Sequence, residues 1–341
     1  PVGDECRMLR DKAGIIDISN FAKYRCAGPG AESWLNSVFA NTMPKIVGRS
    51  CLTPLIGVRG GIAGDFTVTR LAEDEFWIIG SGMAERYHQR FFNAVPLPQG
   101  TVFESRTVAM CGFNVAGPKS REILQRLTNV SLATADFPFM RSKWMDVAGV
   151  RVLALRVSFT GDLGWELHCA ADDQTALYGA LIEAGRDVCA GPVGSRALMS
   201  LRIEKGYGSW GREYSPEYWP QEVGLDRLCK LDKEFLNKSA LLEVLQKPGR
   251  ERLVVLALDA DATDASQADA TGGEPIFKDG VGVGRVTSGA YGYCVGQSLA
   301  LGFVTNVNAG ERVDVMVLGV PHGAVVLDQA PFDPAGARLR G

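Results

Sequence analysis

Two carboxylates stand where a side chain can be presented rigidly. Asp65 follows the glycine-rich run Arg59-Gly60-Gly61-Ile62-Ala63-Gly64, in which glycines let the backbone turn closely. It opens a strand-like stretch where Asp65, Thr67 and Thr69 form a polar line on one face, and Phe66 and Val68 an apolar line on the other. Glu166 lies in "VSFTGDLGWELH", from Val157 to His168. This reads as a strand, a tight turn at Gly161-Asp162 and a second strand. Leu155, Val157 and Phe159 alternate with polar neighbours before the turn, and Trp165 and Leu167 do so after it. The period of two directs Glu166 away from the face that buries Trp165 and Leu167. A carboxylate held in this way accepts bonds from a paired donor, steers a cation or moves a proton. Plainer readings stand beside these: Asp65 as a turn-stabilising aspartate, and Glu166 as a surface glutamate or the partner of an arginine such as Arg156.

Other chemistries have weaker support. The glycines at 28 and 30, and those at 280, 282 and 284, do not sit in a strand–GxGxxG–helix unit followed by a ribose-binding acid, and no Walker A, GxSxG or HExxH pattern occurs. His88, His168 and His322 are far apart in sequence and lack partners at ligand spacing, so no metal site is expected. Eight cysteines are scattered singly through apolar stretches, which reads as reduced thiols. A net charge of −3 and interspersed lysines and arginines give no basic field for nucleic acid. No apolar run approaches the roughly 20 residues that span a bilayer. The expected compartment is the cytoplasm, or the mitochondrial matrix in a eukaryote.

The elements that must position the carboxylates follow from periodicity. One motif occurs twice: "CAGPGAESWLNSVF" and "NVAGPKSREILQRL" each place a Gly-Pro turn before an amphipathic helix, with Trp34, Leu35 and Val38 matched by Ile123, Leu124 and Leu127, about 89 residues apart. Strands follow each copy, so a duplicated α+β unit is expected. Further helices are expected in "QTALYGALIEAG" and "RALMSLRIEKGY". Beyond Pro248-Gly249 the chain turns strand-rich and glycine-rich, at the spacing of a β-barrel or jelly roll. Residues 1–246 are therefore expected to form one region and 247–341 a second. The acidic, alanine-rich "DADATDASQADATGGEP" is expected to be a surface loop.

"GDLGWELH", "SLRIEKGYGSWGRE", "WPQEVGLDRLCKLDKEFLNKSAL" and "GGEPIFKDGVGVGRVTSGAYGYCVGQSLALGFV" together resemble the tetrahydrofolate-binding aminomethyltransferase superfamily, whose best-known member is the T-protein of the glycine cleavage system. The resemblance covers nearly the whole chain. "DISNFAKYRCAGPGAESWLN" and "LMSLRIEKGYGSWG" are more similar to the folate-binding half of dimethylglycine and sarcosine dehydrogenases and oxidases. At two places where T-proteins tend to carry His-Met-Gly and Ala-Arg-Asp, this chain has Asn20-Phe21-Ala22 and Ala197-Leu198-Met199.

The resemblance implies an α+β fold of two intertwined ferredoxin-like units around a folate channel, with a C-terminal β-barrel or jelly-roll domain. It implies tetrahydrofolate as cofactor, with no flavin or metal site in the chain. Glu166 would accept hydrogen bonds from the pterin's ring nitrogen and exocyclic amine. Asp65 would be the catalytic group beside the reacting folate nitrogens, with Thr67 near it. Phe159 stands where the family often has tyrosine and would pack on the pterin. Arg196 would contact the cofactor, and Tyr207, Trp210 and Trp219 would line the pocket. The implied activity is one-carbon transfer, as methyl or methylene, from a small N-methylated amine or related onium compound. The alternatives are the folate half of an FAD-dependent dehydrogenase, with an FAD-containing domain or subunit as partner, and a non-catalytic folate-binding protein.

Overall fold

The computed structural model describes residues 1–259 and 268–341. Within the stretch expected as an acidic surface loop, residues 259–275, residues 260–267 lie outside the described residues. Helix α1 (Val2–Asp11) and strand β1 (Gly14–Asp17) lead into two units of matching order. The first runs β2 (Ala22–Ala27), α2 (Ala31–Val38), β3 (Ser50–Ile56), β4 (Ile62–Ala72), β5 (Glu75–Gly80), α3 (Glu85–Phe92) and β6 (Val102–Ser105). The second repeats it as β7 (Met110–Ala116), α4 (Ser120–Gln125), β8 (Ser142–Val147), β9 (Val150–Leu155), β10 (Gly164–Ala170), α5 (Gln174–Gly185) and β11 (Gly191–Pro192).

The sheet orders are β3-β4-β5-β2-β6 and β8-β9-β10-β7-β1-β11. Each is the ferredoxin-like arrangement with one added edge strand. In the second sheet β1 is inserted between β7 and β11, antiparallel to the former and parallel to the latter. A strand that precedes the first unit thus completes the sheet of the second, which intertwines the two.

The sequence repeat has a backbone cause. Gly28 and Gly117 open the two Gly-Pro turns with φ of +119° and +121°, a region that L-residues avoid. A Cβ at Gly28 would run into the Gly100 carbonyl, and one at Gly117 would lie 2.6 Å from the Lys12 carbonyl oxygen. The helices that follow bury Trp34, Leu35 and Val38 in one unit, and Ile123 and Leu124 in the other.

Each sheet packs its helices on its outer face. Tyr24, Phe66, Val68 and Ile78 lie under α2 and α3, and Phe113, Val115, Trp165 and Leu167 lie under α4 and α5. The inner faces meet through a smaller cluster in which Trp77 and Ile79 of β5 pack on Leu153 and Leu155 of β9.

Helix α6 (Ser195–Glu204), a loop, and α7 (Lys238–Leu245) precede a closed six-stranded barrel. Its strands are β12 (Arg252–Leu258), β13 (Pro275–Lys278), β14 (Val281–Gly292), β15 (Gln297–Val304), β16 (Arg312–Val317) and β17 (Val320–Leu327), in the order β12-β15-β14-β13-β16-β17. One face of α6 packs on β14 and β15.

The expected hairpin around Gly161 is looser than its alternation suggests. Strand β9 stops at Leu155, and Val157 and Phe159 sit in a loop. Arg156 turns inward there and is fully buried. It donates to the Phe137 carbonyl at 2.7 Å and to an oxygen of Gly341, so it is not the partner of Glu166. Asp162 is drawn into a buried ion pair with Arg10, and Arg10 also binds Glu204 at 3.0 Å. These demands on side chains break the ladder before β10 begins.

Gly117→Ala should lower the urea midpoint more than Gly149→Ala. Gly149 also has positive φ, +84°, but a Cβ there meets nothing within 4 Å. Strain of about 1–3 kcal/mol is expected at Gly117, against about 1–2 kcal/mol at Gly149. Equal shifts in chemical denaturation would remove close approach as the reason for the repeated glycine.

Candidate active site

The period of two and the cross-strand registers bring the polar rows together. Thr67 pairs with Ile79 and Thr69 with Trp77, so Asp65, Thr67 and Thr69 share the inner face of the first sheet. Lys23, opposite Ile79 on the other side, joins them. In the second sheet Glu166 pairs with Leu155 and His168 with Leu153, which puts both on its inner face, beside Asn114 of β7. The sequence-expected polar lines therefore face one another across the inner cluster.

Asp65 is partly buried, and no side chain among the described residues donates to its carboxylate. Desolvation raises its pKa to about 6, offset in part by its own backbone N–H. Gly64 gives room for His88 of α3, since a Cβ at Gly64 would lie 2.8 Å from Nε2. The His88 ring stands edge-on to Phe66, with centroids 4.7 Å apart. It is fully buried, with neither ring nitrogen in hydrogen-bonding geometry. Burial pulls its pKa down to about 4, and the nearby Ala63 backbone offsets this in part, so His88 is a neutral wall near neutral pH.

The loop after α6 crosses this end of the sheet. Ile62 N–H donates to the Tyr218 carbonyl at 3.0 Å, and Gly61 packs so tightly on the Pro216 backbone that a Cβ has no space. Trp210 stands edge-on to His88 at 5.1 Å between centroids. Tyr214 is held above its ordinary pKa, first by burial and then by the charge of Asp65, which places its phenol in the field of that carboxylate. The same loop carries Tyr207 to the other unit, where its ring stacks on Phe159 at 6.4 Å and 22°.

Glu166 has 12% of its side chain exposed, and His168, two residues on along the same face, is fully buried with Nε2 3.3 Å from Glu166 Oε2. Asn114 donates to the Trp165 carbonyl at 3.3 Å and stays beside Glu166. Lys23 is fully buried and donates to the carbonyls of Ser19 and Phe21, both at 2.9 Å. Desolvation lowers its pKa, and nearby acids including Glu166 pull it back.

Asp65 and Thr67, Glu166, and the ring pair Phe159–Tyr207 are thus carried by the inner faces and the loop between them, while Trp210 packs on His88 and Tyr87 of α3, behind the Asp65 strand. The other two expected residues lie elsewhere. Arg196 is exposed in the first turn of α6. Trp219 packs with the cluster under α7, with the Arg250 guanidinium 4.0 Å above its ring. Tyr214, His88 and His168 carry site geometry that the sequence reading did not assign. The alternation that placed Glu166 also placed His168 on its face and was the available signal. No spacing rule joins Tyr214 or His88 to Asp65.

The raised Asp65 pKa sets a pH dependence. An acid whose folded value of about 6 exceeds its ordinary value of 3.8 takes up a proton on folding at intermediate pH. Its cost to stability is absent below about pH 4 and grows as pH rises to about 6. Asp65→Asn should therefore gain stability over wild type on going from pH 4 to pH 7.5, by at most about 3 kcal/mol, since the carboxylate keeps some solvent contact. Urea melts at the two pH values measure this. A difference independent of pH would mean that Asp65 titrates near its ordinary value.

Residues 1–233 match the GCVT N-terminal domain, and residues 251–333 match the glycine cleavage T-protein C-terminal barrel domain. The whole chain is 34% identical to mitochondrial dimethylglycine dehydrogenase of Mus musculus and corresponds to 39% of that protein, so it spans about two fifths of that relative's length. An aminomethyltransferase of Saccharopolyspora erythraea is 29% identical over 95% of this chain and 88% of its own. In fold, the chain is similar to the crystal structure of glycine cleavage system aminomethyltransferase T from Bartonella henselae, with a TM-score of 0.86 at 23% identity over 98% of this chain and 90% of that one. Two domain matches in sequence order, covering both the paired units and the barrel, mean that the chain belongs to the glycine cleavage T-protein family of folate-dependent aminomethyltransferases.

Proposed function

We propose that this protein transfers a one-carbon unit, methyl or methylene, to tetrahydrofolate from a small N-methylated amine or related onium compound, as a demethylase. The observation that carries this reading is Asp65: a carboxylate without a side-chain donor among the described residues, raised to about 6 on a rigid strand, facing the sheet that bears Glu166. The donor and acceptor set fits the cofactor. Glu166 offers a planar acceptor pair to the pterin's ring N–H and amine, and the Phe159–Tyr207 stack offers a flat apolar wall.

Bound tetrahydrofolate supplies the nucleophilic ring nitrogens that accept the one-carbon unit. The chain's part is orientation, charge and proton handling. Glu166 fixes the pterin edge. Asp65, largely ionised above about pH 6, attracts a cationic donor and takes or holds a proton at its carboxylate. Thr67 presents its side chain on the same face, one pleat further along. The Trp210–His88 pair backs the Asp65 strand from its outer side and keeps it rigid.

A larger arrangement is a second reading, favoured by the length of the dehydrogenase relative, of which this chain spans 39%. An FAD-containing oxidoreductase domain or subunit would then generate the one-carbon unit and pass it to the folate region, residues 1–246, with 247–341 as the barrel domain.

Anaerobic titration calorimetry with tetrahydrofolate tests the reading. Wild type should bind, and Glu166→Ala, confirmed folded, should weaken binding about ten- to a hundredfold. Absence of binding to folded wild type overturns the folate assignment. With dimethylglycine, sarcosine or a sulfonium donor, Asp65→Asn should keep folate affinity and lose about a hundredfold or more in turnover. A parent inactive with every donor, yet binding folate, would favour a binding protein.

A further inference from the structure

We infer that His168 is a positioning residue for the cofactor: its Nε2–H donates to Glu166 Oε2 and sets the plane in which that carboxylate meets the pterin edge. The inference rests on the folate reading above and extends it to a residue that does not touch the cofactor.

The imidazole sits in a cage with one polar outlet. It is fully buried on β10. Across the ladder it faces Gly112, where a Cβ would come within 2.9 Å of Nδ1. The same Cβ would lie 3.2 Å from an Ile18 side-chain carbon, so glycine makes the space that the ring fills. From the facing sheet Trp77 tilts against it, with centroids 6.3 Å apart. Nδ1 has no hydrogen-bond partner, whereas Nε2 lies 3.3 Å from Glu166 Oε2.

The tautomer follows from electrostatics. A bare Nε2 lone pair opposite a carboxylate oxygen would be repulsive, and it would leave the Nδ1 proton buried without an acceptor, which is costly. The proton therefore belongs on Nε2, and Nδ1 keeps a lone pair. At 3.3 Å the bond is longer than the roughly 2.7–2.9 Å of a strong charge-assisted one, so it orients the carboxylate more than it locks it. Each carboxylate oxygen has two lone pairs. Oε2 can serve His168 and a ligand donor together, while Oε1 stays wholly available to the second donor.

Glu166 is partly exposed and sits at the end of a flexible side chain, so without this donor its plane would be set by solvent. A fixed acceptor pair lowers the ordering cost that ligand binding would otherwise carry. Lys23, the nearby buried cation, spends two of its three N–H donors on the Ser19 and Phe21 carbonyls, and among the described residues no hydrogen bond joins it to Glu166.

The test is a double-mutant cycle read by tetrahydrofolate calorimetry on the full chain. His168→Phe removes the donor and keeps a ring against Trp77. It should raise Kd about tenfold. His168→Gln returns an N–H donor and should recover most of the loss. In a Glu166→Ala background, His168→Phe should change Kd less than twofold, because no acceptor remains to be oriented. If His168→Phe weakens binding equally in both backgrounds, or leaves wild-type affinity unchanged while Glu166→Ala abolishes it, the positioning role is overturned and the folate site stands. If folded wild type does not bind tetrahydrofolate, the functional reading fails first.

Discussion

The contact of Trp77 and Ile79 with Leu153 and Leu155 decides where the polar residues of this protein go. Burial of each such side chain contributes about 1.5–3 kcal/mol, so together they exceed several-fold the cost of raising one carboxylate by about two pH units. Strand geometry leaves the neighbours no choice. Once β5 presents Trp77 and Ile79 inward, β4 must present Thr67, Thr69 and Asp65 on the same side. Once β9 presents Leu153 and Leu155, β10 must present His168 and Glu166. Two sheets glued at a small apolar patch thereby hold a polar interior beside it.

The barrel matters to this interior through the loop that follows α6. Glu213, buried in that loop, pairs with Arg202 of α6 at 2.9 Å and accepts from Thr287 at 2.7 Å and from Ser288 of β14. Arg202 keeps Nε and Nη2 without partners, and a buried pair of this kind contributes geometry more than stability. Further along, Tyr218 stacks on Phe303 of β15, with centroids 3.6 Å apart and planes within 9°, and its hydroxyl accepts from Arg285 at 2.9 Å. Pinned to the barrel at both points, the loop leaves Tyr214 between them few ways to lie other than over the Asp65 end of the first sheet, and Trp210, just before Glu213, bridges to Tyr214.

Much of this was legible in the sequence because it follows from short-range rules. The repeated Gly-Pro turns marked the two units, since positive φ at Gly28 and Gly117 is a local demand. Alternation assigned Asp65 and Glu166 to the faces they occupy. The failures arise where side chains reach far along the chain. Val157 and Phe159 alternate like a strand, but Arg156 and Asp162 are claimed by partners at Phe137, Gly341 and Arg10, which no local window contains. Strand β1 could not be assigned to the second sheet from its sequence, because its partners β7 and β11 lie about 100 and 180 residues further on. Arg196 and Trp219 came from the family resemblance with packing as an equal explanation, and helix phase and the Arg250 stack put them away from the polar interior.

Asp65 and Glu166 have opposite surroundings, and the difference separates their tasks. Glu166 has an imidazole N–H beside it and an amide-bearing neighbour across the strand, the setting of a group that must point one way. Asp65 has an apolar wall of His88 and Phe66 behind its strand, a phenol in its field and no side-chain donor among the described residues. Such a group changes its charge near neutral pH and is left to be completed by what binds. Environments that drive two acids apart are a common way to divide recognition from proton handling. Here the division is built by the loops and helices behind each strand and by different places in the repeat, since Asp65 lies on β4, whose counterpart is β9, and Glu166 on β10, whose counterpart is β5.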